Sequence, residues 1–405
     1  MPKRKKRHWN ALTLVAALLA CFVALSVLSS IDISSVRSRD SLRLTTAPRA
    51  LSSPGPDSKG TPISLRGIPL ASQEATKDQE KLDAVPYKLW VGSYSVNNFN
   101  VDFKVPSYSG AGYLWMLWQQ PLQDYLESQN LEPKKLLKPV NLIAADADAA
   151  LAPVGGGPRK LADGYYYQLL SYSGQFYIDQ IDFRLYPFNG VGLPIVLEAG
   201  DPEGGLDFQR FRMIPELKDS GIGAYADISG WIGTGWSFAE YRHHYATNFG
   251  AGNGEKDYSQ LVFDVTYGTS VWSSFWKLLQ PLAVVMAMVV LLSNIPLNLG
   301  DVRLNIPVTV LLTLVFLQQS FKNSIPDLPY LTFLDKVYII AYGITLIGFA
   351  KTVWAGRRRF LVESLEDVAE KKLIVARLDL LDNVWPVTVI LVGTLATYAA
   401  WLSSH

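Results

Sequence analysis

The residues best spaced for chemistry lie between Asp301 and Asp335, in the run DVRLNIPVTVLLTLVFLQQSFKNSIPDLPYLTFLD. At about 3.6 residues per helical turn, Asp301, Asn305, Thr309, Leu312, Phe316, Gln319 and Asn323 recur by fours and threes and share one face. That face is polar at both ends and apolar in the middle. Hydrocarbon offers no partner to Asp, Asn, Thr or Gln, whereas water does, so the pattern predicts a helix lining a water-filled path. Beside it Leu304, Val308, Leu311, Val315 and Leu317 form an apolar flank for packing on other helices. The chemistry this permits is ion passage. Asn305 and Thr309 would hydrate an ion, and a ring of Leu312 and Phe316 would make a constriction that dewets when narrow. Asp301 would add a ring of carboxylates that favours cations, and the same residue also suits a helix N-cap. One amphipathic helix cannot enclose water. Copies of the chain must surround an axis, and a cyclic homo-oligomer is the economical arrangement.

Bond-making chemistry finds less support. His243 and His244 are adjacent, and consecutive strand residues point to opposite faces, so the two cannot easily hold one metal. The run Gly155, Gly156, Gly157, Pro158, Arg159, Lys160 lacks the spacing of a phosphate-binding loop. The single cysteine, Cys21, falls inside an apolar run and leaves no intrachain disulfide. The expectation is a protein that is not an enzyme and uses no cofactor or metal. Lys and Arg number 37 against 36 Asp and Glu, which gives no electrostatic basis for binding nucleic acid.

The elements that must carry the stripe follow from the order of the chain. KRKKR at 3–7 precedes an apolar run at 11–28, which reads as a secretory signal or, slightly preferred for its length, an uncleaved signal anchor over 1–30. Residues 31–84 are rich in Ser, Arg, Pro and Lys and predict a flexible tether. From 85 to 269 short runs of Val, Ile, Phe, Tyr and Trp are broken by turn residues, the pattern of an all-β sandwich of immunoglobulin-like type. Strands are expected at 95–103, 112–119, 138–144, 164–171, 175–185, 192–198, 222–232, 236–247 and 258–267. Turns are expected at Ser173-Gly174 and Asn253-Gly254, and Trp118 reads as core. Residues 270–405 predict a four-helix transmembrane domain, with spans near 275–295, 302–324, 331–354 and 384–402. The link 355–383 carries alternating charges at helical spacing and reads as a cytoplasmic helix. The basic head and Arg357, Arg358 and Arg359 place those segments in the cytoplasm and the β domain outside, in a multi-pass inner-membrane protein.

Four stretches in this order resemble the pentameric ligand-gated ion channels, the Cys-loop receptor superfamily in its bacterial form without the disulfide. They are GYLWMLW at 112–118, DFRLYPFN at 182–189, TVLLT at 309–313, and NSIP with PYLT at 323–326 and 329–332, followed by Asp335. The resemblance runs from about Tyr87 to the C-terminus. It implies five subunits, passive ion conduction, and a small ligand or ion of unknown identity bound between adjacent extracellular domains. By position it implies Trp115, Glu198, Phe208, Phe249 and Tyr258 as ligand-binding residues, where aromatic rings would suit an ammonium group. It implies Pro187, Phe188, Asn189, Pro326 and Pro329 at the coupling between domains. Asn189 and Val191 stand where the family has Asp and Gln, and Tyr267, Gly268, Thr269, Ser270 stand where it has an Arg before the first span. An ion pair that couples the domains is therefore expected to be missing. The rival reading is a membrane-anchored periplasmic sensor or binding module that oligomerises without conducting.

Overall fold

The computed structural model describes residues 85–143, 150–179, 181–200, 205–245, 247, 256–296, 299–363 and 367–404. The signal or anchor, the tether, Phe249 and the Asn253-Gly254 turn lie outside the described residues. The chain divides into two compact units, a β unit ending at Gly268 and a helical unit that begins at Thr269 and takes in the loop Phe183–Asn189.

In the β unit the strands are β1 (Tyr87–Asp102), β2 (Ser107–Trp118), β3 (Leu137–Pro139), β4 (Leu151–Lys160), β5 (Tyr166–Tyr177), β6 (Gly190–Ala199), β7 (Phe211–Pro215), β8 (Gly221–Ile222), β9 (Trp231–Tyr245) and β10 (Lys256–Thr269). One sheet has the order β4-β5-β2-β1-β7 with β8 beside β1, and the other has the order β3-β6-β10-β9. Burial along β2 alternates almost residue by residue, so Leu114, Met116 and Trp118 point inward. They meet Leu89, Val91, Leu170 and Phe211 of their own sheet and Ile195, Leu197, Phe238 and Phe263 of the other in one apolar core. Trp118 is fully buried there, with its indole N–H donating to Gln123 Oε1 at 2.8 Å. Gln123 belongs to α1 (Gln120–Ser128), a short helix not anticipated from the sequence.

Strand boundaries differ from expectation in ways the glycines and prolines explain. β5 runs unbroken through Ser173 and Gly174, pairing with Ala111 and Gly110 of β2. Gly174 serves close approach instead of a turn, since a Cβ there would lie 2.6 Å from Leu142 Cδ1. β4 was hidden by its prolines and glycines. It is an edge strand with a register break between Val154 and Arg159, where Gly155 and Gly156 take φ of 76° and 104°. The expected strand at 222–232 is mostly irregular, and the buried strand β7 lies instead parallel to β1.

Among the described residues of the helical unit four helices are long and apolar enough to cross a membrane: α2 (Val271–Asn294), α3 (Gly300–Lys322), α4 (Phe333–Glu363) and α5 (Val368–Leu402). A π turn at Phe275–Leu279 precedes Pro281. Pro281 has no N–H to offer Lys277, and the wider turn absorbs that loss. The expected cytoplasmic link is largely helix that continues its neighbours, with α4 reaching Glu363 and α5 opening at Val368. Asp367 caps α5, its Oδ1 accepting from Ala369 N at 2.8 Å.

Candidate functional site

α3 has two opposed faces. Arg303, Pro307, Val310, Leu314 and Phe321 are buried and step by fours, threes and sevens along one side. At about 100° per residue, Asp301, Asn305, Thr309, Leu312, Phe316, Gln319 and Asn323 fall on the opposite side. All seven are exposed in the single chain, Leu312 at 57% and Phe316 at 66%. Pro307 is accommodated inside the helix on the buried face. Within the chain, packing uses chiefly this buried face; of the expected flank, Leu304, Leu311 and Leu317 are half-buried and Val308 and Val315 stay more than half exposed. Asp301 is not the cap. Leu299 holds that position, and Asp301 sits in the first turn, where a carboxylate favours the helix dipole. Thr309 and Thr313 return their hydroxyls to Asn305 O and Thr309 O at 2.9 and 2.8 Å. Both therefore keep an oxygen free to accept from water.

The loop Phe183–Asn189 packs inside the helical unit against the Phe321 end of α3, the Phe333 end of α4 and the Trp401 end of α5. Tyr186 stacks on Phe321 of α3 at 6.2 Å, and Phe321 stacks on Tyr338 of α4 at 5.3 Å. Phe188, Phe333 and Trp401 form a second cluster with centroids 5.3 to 6.2 Å apart. Phe183 N donates to Tyr330 Oη at 3.1 Å, and Phe333 N donates to Arg184 O at 2.8 Å. Pro187, Phe188 and Asn189 are buried, whereas Pro326 is half-buried and Pro329 exposed. Thr269 lies in the stretch where the coupling ion pair was expected to be missing. Its hydroxyl donates to Pro187 O at 3.0 Å and lies 3.2 Å from Asn189 O. A neutral hydroxyl link thus joins the loop to the start of the first span. Sequence reasoning missed it, because backbone acceptors leave no mark on side-chain types.

On the second sheet of the β unit a carboxylate cluster forms at the end nearest the β9–β10 connection. Glu198 is buried at 6% exposure and accepts from Tyr245 Oη at 2.7 Å, from Gln260 Nε2 at 3.3 Å and from His243 Nδ1. The Tyr245 ring meets His243 at 4.3 Å and Tyr258 at 5.8 Å. Burial, followed by the adjoining Glu198 carboxylate, raises the Tyr245 hydroxyl above its ordinary range. A groove of about 500 Å³ opens beside the cluster, lined by Tyr177, Asp179, Tyr241, Arg242, His243 and Gln260 among others. Of the expected ligand residues, the structure brings Glu198 and Tyr258 together through Tyr245. Trp115 lies on the other sheet, over Gly92, where a Cβ would come within 1.9 Å of its ring. Phe208 is occupied differently: the Arg212 guanidinium lies 4.0 Å from its ring centre and that of Arg242 at 5.7 Å. Arg212 is itself clamped by Glu240 through bonds of 2.6 and 2.8 Å. His243 and Tyr245 were missed as a pair; their i, i+2 spacing on a strand beside Gln260 was the available signal.

His244 turns away from His243 to Asp257, at 2.9 Å. Among the described residues no three His, Cys, Asp or Glu side chains converge on a metal position. No protein-family model matches the chain, and no curated protein does. A β-rich unit of two sheets followed by four membrane-length helices among the described residues is compatible with the receptor-channel layout.

Proposed function

We propose that the chain is one subunit of a pentameric ligand-gated ion channel, with α3 lining a passive, cation-preferring pore and an immunoglobulin-like β-sandwich as its ligand-binding domain. The observation that carries this reading is the outward face of α3: seven residues with the polar, apolar, polar order of a hydrated path all lie opposite the side that packs on the chain's own helices. Leu312 and Phe316 are the gate in this reading. The groups around Glu198 on β6, β9 and β10 form the subunit's share of the ligand site. The loop Phe183–Asn189 transmits ligand closure to Phe321 and Phe333. The proposed orientation puts the β-sandwich outside the inner membrane and the connection between α4 and α5 in the cytoplasm.

Recording current from the purified protein in planar bilayers tests the reading. Leu312→Ser or Phe316→Ser should raise open probability or conductance, because a polar ring resists dewetting. Currents identical to the parent in both variants would remove the gate from these positions, and no current under any condition favours the non-conducting sensor.

A further inference from the structure

Arg303, Lys351 and Asp382, one each from α3, α4 and α5, meet inside the helical unit. Asp382 Oδ1 lies 3.0 Å from Arg303 Nη2 and 2.8 Å from Lys351 Nζ. The three side chains are 3%, 14% and 15% exposed in the order Arg303, Lys351, Asp382. The Lys351 ammonium also sits 4.8 Å from the Trp385 ring centre, and Trp385 Nε1 donates to Val289 O of α2 at 3.2 Å. All four helices therefore reach this one cluster. Two cations share one carboxylate at ion-pair distance, and Asp382 Oδ1 and Nε and Nη1 of Arg303 have no hydrogen-bond partner among the described residues. Such a group is costly in a membrane bundle, and residues of this kind are the ones to which function attaches. If the helices span, the steps from Arg303 to Lys322, from Phe333 to Lys351 and from Asp382 to Leu402 each cover about 27–30 Å, close to one hydrocarbon thickness. The cluster then sits at one boundary of the layer, level with the Asp301 end of α3.

Two prolines mark the same level. Pro307 and Pro386 follow Arg303 and Asp382 by four residues, and both are buried inside their helices. Neither offers an N–H, so the carbonyls of Arg303 and Asp382 both lose their helical donor. Each helix is thus weakest in the turn next to the charge that ties it to the other.

We propose that Asp382, shared between Arg303 and Lys351, is a positioning residue that fastens the Asp301 end of α3. The fastening holds the rotation in which Asp301, Asn305 and Thr309 face away from the bundle, and the proline turns are the hinge on which that end moves when it opens. The proposal rests on the conducting reading of α3.

The test uses the full chain with Cys21→Ser, reconstituted in vesicles, with single cysteines replacing Asn305 or Thr309 on the stripe and Leu304 or Val308 on the flank. A water-soluble thiol reagent should modify the stripe faster than the flank in the parent. Asp382→Ala should move that preference towards the flank by roughly tenfold, since it strands two buried cations, while Asp382→Glu should restore it. The combined Arg303→Met, Lys351→Met, Asp382→Leu variant leaves no buried charge unpaired and keeps the test open if Asp382→Ala does not fold; it should show the same shift. The parent pattern retained in either variant overturns the proposal. A double-mutant cycle of Arg303→Met and Asp382→Leu on the unfolding constant in detergent should show coupling of roughly tenfold or more, and an additive cycle overturns the fastening too. Stripe cysteines no more reactive than flank cysteines in the parent sink the conducting reading instead, and the cycle alone then decides the fastening.

Discussion

Asp301 and Asp257 illustrate how far a residue's surroundings decide its role. Asp301 is exposed in the first turn of α3, with the cap assigned to Leu299, so a carboxylate ring remains the proposed use for it. Asp301→Ala should lower cation preference, read as a shift in reversal potential under a salt gradient; an unmoved potential would leave Asp301 only its effect on the helix dipole. Asp257 is held by Arg242 and His244, and the Arg242 hydrogen bond is the main reason its carboxyl stays below the usual range. A depressed folded value means the stabilisation is present above the unfolded value near 4 and is lost as pH falls through the folded one. Because Arg242 is 63% exposed, the effect is small, about 1 kcal/mol at most. Asp257→Asn should therefore cost up to about 1 kcal/mol in denaturant unfolding at pH 7, and the difference should shrink as pH falls below the ordinary carboxylate range. A difference that persists or grows in acid would contradict this assignment. Phe208 carries the same lesson: an aromatic suited to a ligand cation is already covered by two of the protein's own guanidinium groups.

Among the elements, α3 is the one whose two sides differ most in kind. Its buried side holds an arginine and a proline, and its exposed side holds the polar stripe. α4 opens with a reciprocal cap in which Thr332 N donates to Asp335 Oδ2 at 3.1 Å and Asp335 N donates to Thr332 Oγ1 at 3.1 Å. Lys336, one residue on, donates to Ser403 O and Ser404 Oγ at 3.2 and 2.8 Å, so the start of α4 is tied to the end of α5. Trp401 lies in that corner against Phe188 and Phe333. Trp401→Ala should destabilise the helical unit by about 3–5 kcal/mol, measured by unfolding in detergent, since it empties a buried aromatic site. It should also weaken the coupling of ligand to current. A stable variant with unchanged gating would show that the loop Phe183–Asn189 does not act through α5.

At the scale of the whole molecule, the reading requires several chains, since one α3 leaves its stripe open. Mass measurement in detergent should give about five times the 44.9 kDa chain, and a mass matching a single chain would remove the enclosed path. The membrane-length helices and the stripe on α3 were legible in the amino-acid order alone, because length, hydropathy and a period near 3.6 are local properties. The alternating β segment was legible for the same reason in β2, where period-two burial is nearly regular, whereas β6 and β10 are continuous apolar-rich runs buried on both faces. Other features depended on partners far along the chain. β4 does not read as a strand until β5 supplies its ladder, and Gly174 reads as a turn residue until Leu142 is seen packed against it. Glu198, His243 and Tyr245 become one cluster only when β6, β10 and β9 lie side by side. Arg303, Lys351 and Asp382 carry no pattern at all in one dimension, because the forces that pair buried charges act across space between helices, and only the packed bundle brings them within ion-pair distance.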